Sequence, residues 1–114
     1  MVIKQYEIWL ADLNPRIGSE PGKTRPVVVV QTDLLNRTHH PSTLICPLTS
    51  KLAYGTEILR VHLKKGTANL NQSCDILIDQ LRAIDNRRLI KKIGKLPDSI
   101  LQTTKKNLRI VMDL

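Results

Sequence analysis

Residues 22–30 of this chain are Gly-Lys-Thr-Arg-Pro-Val-Val-Val-Val, a stretch in which a polar turn gives way to four valines. An uninterrupted β-branched run predicts a strand buried on both faces, here residues 27–30. Proline disfavours the α conformation in the residue before it, so Arg25 should continue the strand as extended backbone. The planar donor fork of a guanidinium suits bidentate phosphate recognition, although a single arginine at a strand start is more commonly just solvated.

A long connection leads into this strand. Residues 14–25 separate it from the apolar segment 7–13, whereas hairpin loops usually have about two to five residues. Two interpretations of this length stay open, a functional flap or a surface excursion that the fold tolerates. Residues 35–42 form a second irregular stretch.

Short strands account for the first two-thirds of the chain. The predicted strands are residues 7–13, 27–30, 44–50, 56–63 and 74–83. Pro47 lacks a backbone donor and predicts an edge or a bulge in the third strand. In the fifth, Gln80 and Arg82 should point the same way, about 6.5–7 Å apart. Such a pair suits a base edge and a phosphate, with an exposed polar strand end as the alternative.

Helical periodicity replaces the strand pattern after residue 84. Asp85-Asn86 is a candidate N-cap for a helix over residues 87–93 that stops at Gly94. A second helix opens at Pro97 or Asp98. Its apolar stripe consists of Leu101, Leu108, Val111 and Met112. Strands followed by helices predict an α+β fold with a small twisted antiparallel sheet or partial barrel.

The composition narrows the classes of function. The 114 residues carry 18 Lys+Arg against 10 Asp+Glu, a net charge of +8, and include one Trp, two Tyr and no Phe. This length predicts one domain over residues 1–114, and the charge favours an anionic partner. So few aromatic side chains argue against a platform that stacks many bases. We interpret the basic segments 87–95 and 105–109 as solvated helix faces rather than a nucleic-acid groove.

Signals for metals, cofactors and membranes are weak. Cys46 and Cys74 lack metal-knuckle spacing and predict free thiols in a reducing cytoplasm. No apolar run approaches the roughly 18–20 residues of a membrane span, and the N-terminus lacks a signal-peptide core. The placement of His39, His40 and His62 disfavours a two-histidine nuclease, and no metal or cofactor motif occurs. We expect a cytoplasmic protein with no cofactor and no membrane association.

Polar residues end the third predicted strand. Thr49 and Ser50 close it, and Lys51 follows. Hydroxyl groups at such a position can donate to a phosphate oxygen, or they can hydrogen-bond the local backbone. The residues are therefore candidates for a site without defining one.

Taken together and in order, five segments resemble the MazF/PemK family of toxin endoribonucleases. They are Glu7-Ile8-Trp9-Leu10-Ala11-Asp12-Leu13-Asn14-Pro15, Gly18-Ser19-Glu20, Gly22-Lys23-Thr24-Arg25-Pro26, Leu48-Thr49-Ser50 and Asp79-Gln80-Leu81-Arg82-Ala83-Ile84-Asp85. The resemblance covers nearly the whole chain. It implies an SH3-like antiparallel barrel with C-terminal helices, of the CcdB/Kid type, and a homodimer.

The resemblance also implies a reaction, a site and partners. The reaction is metal-independent cleavage of single-stranded RNA (mRNA) at short sequences, leaving 2′,3′-cyclic phosphate and 5′-hydroxyl ends and inhibiting translation and growth. The implied catalytic residues are Arg25, Thr49 and Glu20. The implied RNA-binding residues are Ser19, Lys23, Thr24, Ser50, Lys51, Gln80 and Arg82. The implied protein partner is a MazE-like antitoxin with an acidic, disordered tail.

Elementary chemistry limits how the implied catalytic residues divide the work. The attacking 2′-oxygen must lose a proton, the leaving 5′-oxygen must gain one, and the phosphorane carries added negative charge. Because the pKa of a guanidinium exceeds about 12, an arginine is a poor base. We therefore interpret Arg25 as phosphorane clamp and proton donor, Thr49 as a group that orients a phosphate oxygen, and Glu20 or solvent as proton acceptor.

Two other functions fit the sequence. A CcdB-like toxin that binds DNA gyrase would work through a protein interface and need no Arg25–Thr49 site. A non-catalytic RNA-binding module would use the positive charge together with Gln80 and Arg82. Cleavage of single-stranded RNA, but not of the same strand with a 2′-deoxy cut site, would separate both from the endoribonuclease.

Overall fold

A computed structural model describes residues 1–19 and 22–114. Within these ranges the chain forms seven β-strands and two α-helices. The strands are β1 (Glu7–Asp12), β2 (Thr24–Val29), β3 (Ser42–Thr49), β4 (Arg60–Leu63), β5 (Cys74–Leu77), β6 (Arg82–Asp85) and β7 (Leu89–Lys95). The helices are α1 (Asp33–Asn36) and α2 (Asp98–Met112). The predicted α+β class with an antiparallel sheet is confirmed, and one C-terminal helix, α2, is present where the sequence predicted two.

The strands form one antiparallel sheet in the order β4-β5-β3-β2-β1-β7. Strand β3 lies at the centre of the sheet and pairs with β2 along one side. Along its other side, the first half of β3 pairs with β6 and the end of β3 pairs with β5. Pro47 falls between these two pairings, opposite Val27 of β2. It therefore lies inside the central strand, where the neighbour on one side changes, rather than at a sheet edge.

Three valines of the predicted run 27–30 are buried on both faces, as predicted, and Val30 is only partly buried. Val28 joins a core cluster that includes Leu108 of α2, while Val27 and Val29 join a second cluster with Trp9. All three valines are fully buried. Because alternate residues of a strand face opposite sides of the sheet, β2 contributes side chains to both clusters.

The predicted helix over residues 87–93 is wrong. Asp85 does cap a helical turn, since its Oδ1 accepts from the Arg87 backbone N–H at 2.8 Å, but the turn is a single 3₁₀ turn. The chain then becomes β7, which pairs with β1. Gly94 lies inside β7, where a Cβ would be 2.4 Å from the carbonyl oxygen of Ala68. Pairing with an open edge of β1 outweighs a short helical pattern.

Two predicted strands are shorter than the pattern indicated. Residues 74–83 divide into β5 and β6 around a 3₁₀ turn, Ile78–Gln80. In residues 56–63 a 3₁₀ turn, Glu57–Leu59, precedes β4. The helix predicted from residue 97 or 98 is confirmed as α2, and Leu108 is buried.

Both cysteines are free, as predicted, and the structure buries both of them. Burial, with a smaller contribution from the Asp79 carboxylate, raises the pKa of the Cys46 thiol to about 12. Cys46 is therefore protonated and unreactive at neutral pH.

Across residues 1–19 and 22–114, none of the helices has the length and apolar character needed to cross a membrane.

Candidate active site

Arg25 is fixed where the long connection enters the sheet. It is the second residue of β2 and lies opposite Ala11 of β1. Its Nε donates to the Gly22 carbonyl at 2.8 Å, and one terminal nitrogen donates to the Leu48 carbonyl at 3.2 Å. Burial, and then the nearby Arg16 cation, lowers the pKa of Arg25 from its ordinary value. The guanidinium thus links the connection to the end of β3.

Thr49, the last residue of β3, directly follows Leu48, whose carbonyl accepts from this guanidinium. The β2–β3 pairing ends at Val27 and Pro47, two residues from Arg25 on one strand and two residues from Thr49 on the other. The hydroxyl oxygen of Thr49 accepts from the Lys51 backbone N–H at 3.2 Å. Because this oxygen already accepts a hydrogen bond, the hydroxyl hydrogen points elsewhere and can serve a ligand.

The ends of the long connection are closed by backbone and side-chain contacts. The Leu13 N–H donates to the Lys23 carbonyl at 2.9 Å, and the Lys23 N–H donates to Asn14 Oδ1 at 2.8 Å. Arg88 donates to the carbonyls of Asp12 and Asn14. We call residues 14–23 the flap. Glu20, the third predicted catalytic residue, lies outside the described residues.

A cleft of about 320 Å³ opens next to the flap. Its lining is Ser19, Thr56, Leu59, Arg60, Leu77, Asp79 and Gln80. The fold thus brings Ser19 and Gln80, both predicted RNA-binding residues, to one cavity. Four further predicted RNA-binding residues are exposed. Lys23 ends the flap, Thr24 begins β2, and Ser50 and Lys51 follow β3.

The predicted spacing of Gln80 and Arg82 on one strand is wrong. Gln80 ends a 3₁₀ turn, while Arg82 begins β6 and lies opposite Ile45 of β3. The turn interrupts the two-residue alternation from which a common direction was inferred.

Known proteins are similar to this chain in sequence and in fold. A family model described as "PemK-like, MazF-like toxin of type II toxin-antitoxin system" matches residues 4–112. This chain belongs to that family. The MazF-like toxins of this family are endoribonucleases. The relative named "Endoribonuclease EndoA", from Bacillus subtilis (strain 168), is 32% identical over 114 residues, covering 100% of this chain and 97% of the relative.

Solved structures of MazF proteins superpose on the whole chain. A crystal structure of MazF (Form-I) from Deinococcus radiodurans has a TM-score of 0.82 and 25% identity, covering 100% of this chain and 99% of that one. A MazE-MazF structure (Form-II) from the same organism has a TM-score of 0.76 and 22% identity, covering 100% and 98%. The SH3-like toxin fold implied by the resemblance is confirmed.

In this family member a buried carboxylate, missed by the sequence analysis, lies next to Thr49. Asp75 of β5 is directly opposite Thr49 and is 2% exposed. It accepts from three donors: His62 Nδ1 at 2.9 Å, the Ala53 N–H at 3.2 Å and an Arg60 terminal nitrogen at 3.2 Å. Burial raises the pKa of Asp75, but these hydrogen bonds together lower it below its usual value. The carboxylate is therefore ionised at neutral pH.

Asp75 was missed because a lone aspartate in an apolar segment carries no motif. The alternation that sets Arg60 and His62 on one face of β4 was visible in the sequence. Their common partner became visible only through the register, which pairs His62 with Asp75.

Proposed function

We propose that this toxin cleaves single-stranded RNA at short specific sequences, without a metal, to 2′,3′-cyclic phosphate and 5′-hydroxyl ends. The observation that supports the proposal is the Arg25 guanidinium, which two backbone carbonyls hold, one of them that of Leu48, the residue before Thr49. In the reaction the 2′-oxygen attacks phosphorus, and the bond to the 5′-oxygen breaks. The phosphorus passes through a pentacoordinate species with added negative charge.

Arg25 supplies the positive charge that this species needs. Burial and the Arg16 cation lower the pKa of Arg25, but the ordinary pKa of a guanidinium is so far above neutrality that the group stays a cation at neutral pH. It clamps the non-bridging oxygens and delivers a proton toward the leaving 5′-oxygen. The Thr49 hydroxyl, which accepts from Lys51, donates its hydrogen to a phosphate oxygen.

The proton of the 2′-hydroxyl goes to Glu20 or to solvent. A carboxylate base would give a cleavage rate that rises with pH through its pKa and then levels off. Glu20→Gln should abolish that rise if Glu20 is the base. A Glu20→Gln protein with the parental pH profile assigns the proton to solvent.

Polar groups around the cleft suit recognition of a few nucleotides. Ser19 and Gln80 line the cavity, and unstacked bases are recognised by hydrogen bonds along their edges. The exposed flap and loop residues would contact phosphates and sugars. This RNA-binding set consists of Ser19, Lys23, Thr24, Ser50, Lys51, Gln80 and Arg82.

A cleavage assay in chelator tests the proposal. The substrate is a labelled single-stranded RNA, and the control is the same strand with 2′-deoxy at the cut site. Arg25→Ala and Thr49→Ala should each lower the rate by roughly 10²–10³-fold, the cost of removing a transition-state donor. Arg87→Ala is the matched control, since Arg87 is 91% exposed and pairs with Asp85.

Three outcomes would overturn the proposal. Parental rates in Arg25→Ala and Thr49→Ala would refute the site. Cleavage of the 2′-deoxy strand would refute the mechanism. Binding of RNA without cleavage would favour the non-catalytic module.

We propose a homodimer whose partner is an antitoxin with an acidic disordered tail, and we propose that both act in the cytoplasm. A similar Deinococcus radiodurans structure holds MazE with MazF. The net charge of +8 would speed association with an acidic tail, and a tail that occupied the cleft would block RNA.

A further inference from the structure

Thr49 belongs to a row of side chains that crosses the sheet. Thr49 pairs with Asp75, and Asp75 pairs with His62. Residues directly opposite in an antiparallel pair project on the same face, with Cβ atoms about 4.5–5.5 Å apart. Arg25 is tied to the residue before Thr49, since its guanidinium donates to the Leu48 carbonyl. The proposed catalytic pair is therefore continuous with a buried carboxylate.

Asp75 also holds the segment that follows Thr49. One of its oxygens accepts from the Ala53 N–H at 3.2 Å and from Arg60 at 3.2 Å. The same Arg60 nitrogen donates to the Lys51 carbonyl at 2.7 Å. The backbone of Lys51, in turn, donates to the Thr49 hydroxyl oxygen. A chain of contacts thus runs from Asp75 through Arg60 and Lys51 to the hydroxyl.

Stability alone gives little reason for a charge at this position. Asp75 is 2% exposed on a strand whose next residue, Ile76, is fully buried. Removing ionic groups from water is costly, and well-packed apolar residues in place of a buried ion pair are often as stable or more stable. An apolar side chain accepts no hydrogen bonds, so it could hold neither the Ala53 N–H directly nor the Lys51 carbonyl through Arg60.

We propose that Asp75 is a positioning residue for catalysis, which acts through Arg60 and the backbone of Lys51 to orient the Thr49 hydroxyl. The inference rests on the proposed function of Thr49. Asp75 touches no substrate in this arrangement. Its removal should therefore lower the rate of the chemical step by a larger factor than it lowers RNA affinity.

The test compares Asp75→Ala, Asp75→Asn and a matched control. Asp75→Ala should lower the single-turnover rate at saturating protein by roughly 10–100-fold, since a misplacement of about 1 Å can cost 10²-fold. Asp75→Asn keeps an acceptor for Ala53 and Arg60, so it should restore most of the rate. Asp85→Ala is the control, because Asp85 pairs with Ser42 at the opposite end of β3. Ser42 lies about 23 Å from Thr49 along the strand.

Affinity is measured with the uncleavable 2′-deoxy strand, and folding by thermal unfolding of each variant. The inference expects that in Asp75→Ala the single-turnover rate falls by a larger factor than the dissociation constant rises. An equal loss in Asp75→Asn, or a loss confined to RNA affinity, would overturn it. If Asp75→Ala does not fold, Arg60→Gln takes its place, and Arg60→Lys should then keep more of the single-turnover rate.

A double variant separates this inference from the proposed function. In a Thr49→Ala protein the group that Asp75 orients is gone, so adding Asp75→Ala should cost almost nothing further. A full additional loss there would mean that Asp75 acts elsewhere. If Thr49→Ala itself cleaves at the parental rate, the proposed site fails. If Thr49→Ala is inactive while Asp75→Ala is fully active, only the positioning role fails.

Discussion

Substitution of Gly22 offers a way to displace Arg25 without altering it. A Cβ at Gly22 would lie 2.7 Å from the Arg16 Cβ and 3.3 Å from Asn14 Oδ1. Carbon atoms in good contact are about 3.5–4.0 Å apart, so Gly22→Ala must open the flap by about 1 Å. Because the Gly22 carbonyl accepts from Arg25 Nε at 2.8 Å, that movement reaches the guanidinium.

The size of the effect follows from these contacts. A displacement of about 1 Å at a catalytic group can cost roughly 10²-fold in rate. The extra methyl group should lower the free energy of unfolding by about 1–3 kcal/mol, the usual cost of overpacking. Gly22→Ala should therefore remain folded at 25 °C and cleave RNA far more slowly than the parent.

The assay is single-turnover cleavage of a labelled RNA, with thermal unfolding recorded on the same samples. Gly18→Ala is the control on the same flap. Gly18 has a φ of +57°, and no described atom lies within 4 Å of the position that a Cβ would take there, so the substitution strains the backbone without a clash. A Gly22→Ala rate within about threefold of the parent, or an equal loss in Gly18→Ala, would refute the coupling of flap to guanidinium.

Two further predictions concern charge. Burial raises the pKa of Glu7, but hydrogen bonds from Lys92, the backbone and Trp9 lower it more, to a net value below the ordinary one. A depressed folded pKa stabilises the protein above the unfolded pKa, and this stability is lost as the pH falls through the folded pKa. The free energy of unfolding, measured with urea between about pH 5 and pH 3, should therefore fall more steeply with decreasing pH in the parent than in Glu7→Gln. Equal slopes in the two proteins would contradict the role of Glu7. The exposed Lys105 and Lys106 of α2 should act only by long-range attraction. Changing both to Gln should lower kcat/KM at low salt, with no difference at high salt, and a reduced kcat would contradict this.

Local sequence determined the parts of the fold that depend on neighbouring residues. Val27 and its neighbours specify a buried strand, and Pro26 holds Arg25 extended at its entrance. The apolar stripe of α2 is long enough to distinguish a helix from a strand. Residues 87–93 are too few for that, since Leu89, Ile90 and Ile93 fit either period, and the open edge of β1 decided in favour of β7.

The sequence by itself determined that Arg25 is an extended, partly fixed cation at the start of a valine strand. Only the tertiary structure decided which groups meet it. The Leu48 carbonyl, which accepts from its guanidinium, is more than twenty residues away along the chain, and Asp75, which lies opposite Thr49, is more distant still. Their approach depends on the registers of β2 with β3 and of β3 with β5, and a register is set by packing of the whole sheet rather than by any local pattern.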